Sequence, residues 1–370
     1  MRDVAKLAGV GTMTVSRVLN GSAPVTKVTR DRVHQAVNQL NYQPNPVARS
    51  LRQARSRSIG IIVPNFYDPF FATCAHAIGL VAKKHQYSVS VTTSDGDARA
   101  EFTEANLMAL NHVDGLAVIP AAFGKSCFDR PEFHSTHIVT LDRPIRGHRF
   151  NSVLVENREG AKEAVEHIIW HGHKKISHLG LSEKLYTLNE RYQGYKKAMQ
   201  QAGLTPGQHP TCRTEEETRV CIQQAMSGPT PSTAFFIGNN LIMRNALHAF
   251  SKLNITIPKD VAVIGFDDFE MADIFNPSIT VVRQPMLELG RVAAELLFSR
   301  LEDRNVSLVG QQIVLACELV IRQSRGCSFR DQLKRSTVRS LDSNSHIVHN
   351  YYLHILSTRD IRSVITLFPL

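Results

Sequence analysis

The stretch that decides the reading is Asp3-Val4-Ala5-Lys6-Leu7-Ala8-Gly9-Val10-Gly11-Thr12-Met13-Thr14-Val15-Ser16-Arg17-Val18-Leu19-Asn20. Val4, Leu7 and Ala8 recur at i, i+3, i+4, which predicts a helix over Asp3–Ala8 with these three inward. Gly9-Val10-Gly11 breaks it. Val15, Val18 and Leu19 repeat the spacing and predict a second helix, Thr12–Leu19, ended by Asn20-Gly21. Thr14, Arg17 and the exposed ends of Thr12 and Met13 then face outward. Thr26 is a good N-cap for a third helix reaching Leu40, with Val33, Ala36, Val37 and Leu40 inward. Two short helices across a glycine-containing turn, with a third closing a small core, form a helix-turn-helix. Its second helix enters a DNA major groove N-terminal end first.

The charge supports this. The chain has 370 residues and a formal net charge of +10. Its first 58 residues hold ten lysines and arginines against only Asp3 and Asp31. A positive field on one small module attracts polyanions by releasing their counterions, so double-stranded DNA is the expected partner. No run of about 18 apolar residues suggests a membrane span, and the N-terminus lacks the apolar stretch of a secretory signal. The six cysteines form no CxxC pair. No disulfide framework or zinc site is therefore expected, and a cytoplasmic location follows. His171, His173 and His178 span a helix end, a loop and a strand, so no metal is expected there. No nucleophile elbow, phosphate-cradling loop or metalloprotease motif occurs, which argues against an enzyme or a cofactor.

Residues 44–57 read as a hinge and linker following a 1–43 headpiece. In Pro44-Asn45-Pro46-Val47-Ala48-Arg49-Ser50-Leu51, Asn45 is a good N-cap and Pro46 suits the first helical position. About two turns follow, too few for a stable isolated helix, so this helix should form only when docked. From Ser58 the pattern alternates strands (such as Ser58–Pro64, His137–Leu141 and Val261–Phe266) with helices (such as Ala161–Trp170, Arg191–Gln201 and Met286–Leu301). The fold class is α plus α/β: a helical headpiece, then a core of two doubly wound parallel subdomains. The core spans 58–325, one subdomain taking about 58–157 plus 286–316 and the other about 158–285 plus 317–325. Residues 326–370 lack leucine heptads and read as an atypical tail, either a disordered extension or an out-of-frame one. Ligands in such folds bind beyond the carboxyl ends of strands. There Asp68-Pro69 starts a helix and presents Phe66, Tyr67, Phe70 and Phe71, either as a surface for a sugar ring or as ordinary core.

The headpiece motifs, together with Leu40-Asn41-Tyr42-Gln43-Pro44-Asn45, resemble the lactose-repressor/galactose-repressor family. So does the core, through Asn65-Phe66-Tyr67-Asp68-Pro69-Phe70-Phe71, Leu141-Asp142-Arg143, Arg191-Tyr192-Gln193-Gly194-Tyr195 and Ile264-Gly265-Phe266-Asp267-Asp268. The similarity spans roughly Met1–Ser324. It implies base reading by Thr12, Met13 and Arg17, with backbone contacts from Ser16, Asn20 and the neighbouring Thr14. It also implies paired hinge helices that insert Leu51 into the minor groove while Arg49 faces phosphate. In the core it implies that Arg191 and Asp267 grip the effector, with Asp142 and Gln284 as further candidates. Three departures stand out. The chain begins at the edge of its first helix, without the family's threonine cap. Gly11 stands where a serine cap is common. Asn239-Asn240 replaces the family's frequent Asn-Asp, and the lost carboxylate is compatible with a sugar-acid or phosphosugar effector.

The implied function is a homodimeric transcriptional regulator, a repressor on family grounds, reading a palindromic operator. A sugar or sugar acid would shift the core between two states and so change headpiece spacing. The rivals are a solute-binding protein for transport and a cytoplasmic sugar-processing enzyme.

Overall fold

The computed structural model describes residues 1–21, 23–42, 56–121, 127–133, 136–145, 150–181, 185–302 and 310–326. The hinge residues Asn45, Arg49 and Leu51 and the tail from 327 lie outside the described residues.

The headpiece contains α1 (Arg2–Ala8), α2 (Thr12–Asn20) and α3 (Lys27–Gln39). Gly9 takes the left-handed conformation that closes α1 and turns the chain toward α2. Neither α1 nor α2 has a side-chain N-cap, while Thr26 caps α3 by accepting from the Thr29 N–H. The core of this module is Val4, Ala5, Ala8, Val15, Val33 and Ala36, with Val18, Leu19 and Val37 packed partly against it. Leu7 and Leu40 are exposed, contrary to the periodicity. Small Ala5 takes the inward place on α1, and Leu40 falls at the C-cap of α3, past its last helical turn.

The core has two lobes. The first sheet comprises β1 (Ser58–Val63), β2 (Ser88–Thr93), β3 (Gly115–Val118), β4 (His137–Leu141), β5 (Asn151–Val155) and β10 (Gln312–Leu315). Its order is β10-β5-β4-β3-β1-β2, and every pairing is parallel. The second comprises β6 (Ile176–Leu179), β7 (Ala234–Ile237), β8 (Ala262–Phe266), β9 (Thr280–Arg283) and β11 (Glu318–Val320), in the order β11-β9-β8-β7-β6. Only β11 runs antiparallel there. A parallel bridge from Gly180 to Thr211 continues this sheet beyond β6. Both sheets thus have a switch point beside their first strand, where chain order reverses and a crevice opens.

Helices α4 (Pro69–Lys84), α5 (Ala98–Leu110) and α10 (Met286–Glu302) cover the first sheet. Helices α6 (Asn157–Trp170), α7 (Tyr186–Gln201), α8 (Glu215–Met226) and α9 (Asn240–Lys252) cover the second. The chain passes between lobes after β5, after β9 and after β10, and the Glu156 N–H donates to the Leu315 carbonyl at 3.0 Å where two of these passages meet. Each lobe has its own apolar core, such as Ile61, Val139 and Leu297 in the first and Phe235, Ile242 and Val263 in the second.

The second lobe buries three imidazoles, among them His167 on α6 and His178 on β6. Burial, reinforced by His171 and Arg325, pushes His167 down to about 3. Burial and His209 push His178 well below its ordinary value. Both are neutral when folded, whereas the unfolded chain takes protons below about pH 6.5. Stability from these groups is therefore present above that pH and lost as pH falls beneath it, at about 1.4 kcal/mol per pH unit per group. Denaturant unfolding between pH 6.5 and 5 should show a pH slope that is shallower by about that amount in His167→Gln. An unchanged slope would contradict the burial argument.

Candidate functional site

On α2, successive residues rotate about 100°. Val15, Val18 and Leu19 share the inner face, and Thr12, Met13, Ser16 and Arg17 fall within one outer arc. Thr12, Met13 and Arg17 are exposed, Met13 to 68%, while Thr14 and Ser16 are half-buried and Asn20 is the last residue of the helix. A mostly apolar stripe fixes the helix and leaves a methyl, a thioether and a guanidinium projecting. These groups suit a base-pair edge: arginine can bridge guanine O6 and N7, and apolar tips can meet a thymine methyl.

In the core, the carboxyl ends of the strands bring candidates from both lobes together. Asp142 follows β4 and Asp267 follows β8. Both adopt positive φ, 67° and 75°. Each donates its N–H to the next strand at 2.9 Å, Asp142 to Val153 and Asp267 to Val282. Such a conformation is strained for a non-glycine residue and is held by the surrounding structure. The two lobes therefore place a carboxylate at equivalent points.

Arg191 of α7 is 3% exposed. Its Nε donates to Asn157 Oδ1 at 2.8 Å, and its Nη1 donates to the Gly238 carbonyl at 2.8 Å and to Asp267 Oδ2 at 3.3 Å. The guanidinium carbon lies 3.8 Å from the centre of the Phe266 ring, a cation–π stack. Gly194 lets α7 pack closely on α6, which carries Asn157, because a Cβ there would collide with the Arg158 carbonyl oxygen. Gln284 donates from Nε2 to Asp267 Oδ1. The other end of that amide, Gln284 Oε1, is buried without a hydrogen-bond partner among the described residues. Such an acceptor is costly unless something supplies a donor.

Asp142 pairs with Arg143, whose Nε donates at 3.2 Å and whose Nη1 donates to the Pro120 carbonyl at 3.0 Å. Burial raises the Asp142 carboxyl against the pull of Arg143 and Arg191, with Asp267 and Asp68 adding to the rise. Asn240, the first residue of α9, donates from Nδ2 to Asp68 Oδ1 at 2.9 Å across the cleft. Asp68 also caps α4 by accepting from the Phe70 N–H at 3.0 Å. Phe70 and Phe71 belong to the first-lobe core, so packing is their main role, although Phe70 also borders the cleft. Phe66 and Tyr67 are 54% and 74% exposed.

The free space among Phe70, Asn240, Asp267, Asp268, Gln284 and Met286 is about 10 Å³. That is near the room one water needs and far below an ordinary ligand pocket. At this point the two lobes touch, through the Asn240–Asp68 hydrogen bond. A larger concavity of about 580 Å³ adjoins this space, between Pro69, Thr73, Asp268, Phe269, Gln284 and Leu287. It shares Asp268, Gln284 and Met286 with the cleft space and adds Glu270, Arg283 and Glu288 to its rim. Sequence reasoning missed Asn157 and treated Asp68 only as a helix cap. Asn157 carried one signal, a polar residue opening a helix directly after a strand.

Two family descriptions match the chain: bacterial regulatory proteins of the lacI family over residues 1–45, and a periplasmic binding protein-like domain over residues 165–325. The HTH-type transcriptional repressor PurR of Haemophilus influenzae (strain PittEE) is 31% identical over 333 residues, covering 88% of this chain and 98% of that relative. The structure of a transcriptional regulator CelR–cellobiose complex is 26% identical, with TM-score 0.64, covering 87% of this chain and 98% of that one. The Lac repressor dimer bound to operator and the anti-inducer ONPF shares the fold, with TM-score 0.77, 23% identity and the same coverage.

Arg191→Ala should destabilise the protein by roughly 3–5 kcal/mol, because it strands a buried carboxylate. Adding Asp267→Asn should recover part of the loss, read from urea midpoints at pH 7. A double variant as weak as the sum of the two single ones would mean that Arg191 and Asp267 are not coupled.

Proposed function

The chain belongs to the lacI family of bacterial regulatory proteins, and from that premise we propose that it represses transcription by holding a two-fold-symmetric operator until a small polyhydroxylated effector enters the interlobe cleft. The relative from Haemophilus influenzae is named a transcriptional repressor, and CelR is described with a disaccharide bound. The observation that carries the DNA half is the outward arc of α2, with Thr12, Met13 and Arg17 exposed on a helix whose other side is packed. Thr14, Ser16 and Asn20 flank this reader as backbone contacts. Asn45, Arg49 and Leu51 lie outside the described residues, and their roles in capping the hinge helix, meeting phosphate and wedging the minor groove rest on the sequence.

For the effector, Asp68, Asp142 and Asp267 supply acceptors, Gln284 Oε1 lacks a donor, and Arg191 is already engaged. The cleft therefore favours a neutral ligand rich in hydroxyls over the sugar acid suggested by Asn240. A further carboxylate would meet three others and compete for an occupied arginine. Phe66 and Tyr67 border the first-lobe side, available to an apolar ring face.

A homodimer is the working assembly. Met271, Ile274, Phe275 and Leu287 are exposed apolar side chains, the last lining the 580 Å³ concavity, and a second copy would cover them. DNA as the partner places the protein in the cytoplasm.

Titration against operator and random duplexes tests this. Specific binding should weaken steeply with salt and vanish when residues 1–55 are removed. Leu51→Ala should lower operator affinity far more than random-duplex affinity. A neutral sugar that raises the melting temperature should alter operator affinity, whereas its acid should not. Equal losses on both duplexes, or retention by the truncated chain, would refute the proposal.

A further inference from the structure

Helices α4 and α9 point their N-termini at one another across the cleft, one from each lobe. Like helix ends repel, because each carries partial positive charge from its unpaired N–H groups. The Asp68 carboxylate lies between them. It accepts from the Phe70 N–H of its own helix at 3.0 Å and from Asn240 Nδ2 of the other at 2.9 Å. Its own N–H donates to Asn65 Oδ1 at 3.0 Å, which fixes the turn that carries it. Asn239 caps α9 through the Ile242 N–H, leaving the Asn240 side chain for the cleft. Among the described residues this bond joins two groups 172 positions apart, at a point where the free space is only about 10 Å³.

We propose that Asp68 and Asn240 form a latch that ties the two lobes together across the cleft, so that effector entry requires this one hydrogen bond to break. The last clause rests on the effector reading above; the latch itself does not. Chemistry at position 240 decides whether the latch exists. An amide donates to the carboxylate. An aspartate there would set a second carboxylate against Asp68, close to Asp267, and drive the lobes apart. The same aspartate would suit the first turn of α9, so the helix itself would not suffer.

The test uses the full chain without ligand. Nitroxides are attached through a non-natural amino acid at Arg99 of α5 and Gln200 of α7, both exposed, one on each lobe. Labelled chains are diluted with unlabelled ones, and pulsed electron paramagnetic resonance reads the interlobe distance at pH 7.5. Asn240→Asp should shift the distribution outward by several ångströms. Asp68→Asn/Asn240→Asp, which restores a donor–acceptor pair in reverse, should return it to the starting distance. Circular dichroism and thermal melting check that each variant folds. A distribution in Asn240→Asp identical to that of the unsubstituted chain would overturn the latch. So would an exchanged pair as open as the single variant, since the opening would then come from added charge alone.

Discussion

One buried cation organises the ligand-sensing half of this molecule. Taking a guanidinium out of water costs several kcal/mol unless its donors are matched. Arg191 matches them with Asn157 at the start of α6, the Gly238 carbonyl after β7 and Asp267 after β8. Three chain segments must therefore end at one point for the charge to be tolerated. The Phe266 ring beneath the guanidinium completes the seat, and the bare face of Gly194 brings α7 close to the helix that carries Asn157. The requirement sets where the strands of the second lobe stop and fixes Asp267 in its strained conformation at the mouth of the cleft.

The first lobe repeats the plan with a different solution. Asp142 occupies the place equivalent to Asp267, but its cation is the adjacent Arg143, which is also anchored to the Pro120 carbonyl. Each lobe thus carries a carboxylate at the crevice with its own local counter-charge, and Asp68 adds a third that has no cation of its own but accepts from the Phe70 N–H in its lobe and from Asn240 across the gap. This asymmetry makes the interface between lobes responsive. Two of the carboxylates have their counter-charge within their lobes, and the third takes its side-chain donor from the opposite lobe.

Much of this was legible in the sequence because it rests on local rules. The apolar spacing of Val15, Val18 and Leu19 specified α2 and, by exclusion, its outward arc. Strands such as Ile59–Val63 and Ala262–Phe266 are continuous apolar runs of the kind that parallel sheets bury on both faces. Other elements were missed for physical reasons. The α8 sequence, Glu-Glu-Glu-Thr-Arg-Val-Cys-Ile-Gln-Gln-Ala-Met, is mostly polar and buries little beyond Thr218 and Ile222. Strand β5 begins with the polar pair Asn151-Ser152, which leaves only a short apolar run, Val153–Val155, to mark a strand that is buried throughout. The Asp68–Asn240 bond was out of reach altogether. Each residue has a local role at a helix start, and nothing local tells that the two starts meet. Asn240 read alone as a lost charge pointed toward an acidic effector, whereas its position shows an amide answering a carboxylate.

The proposed working unit is a paired three-helix reader tied to a clamshell. The most direct measurement is selection from a randomised duplex pool by the purified full-length protein at physiological salt, followed by sequencing. The account predicts an inverted repeat with two related half-sites about one helical turn apart. Retained duplexes with no shared motif, or with a single unrepeated half-site, would contradict it.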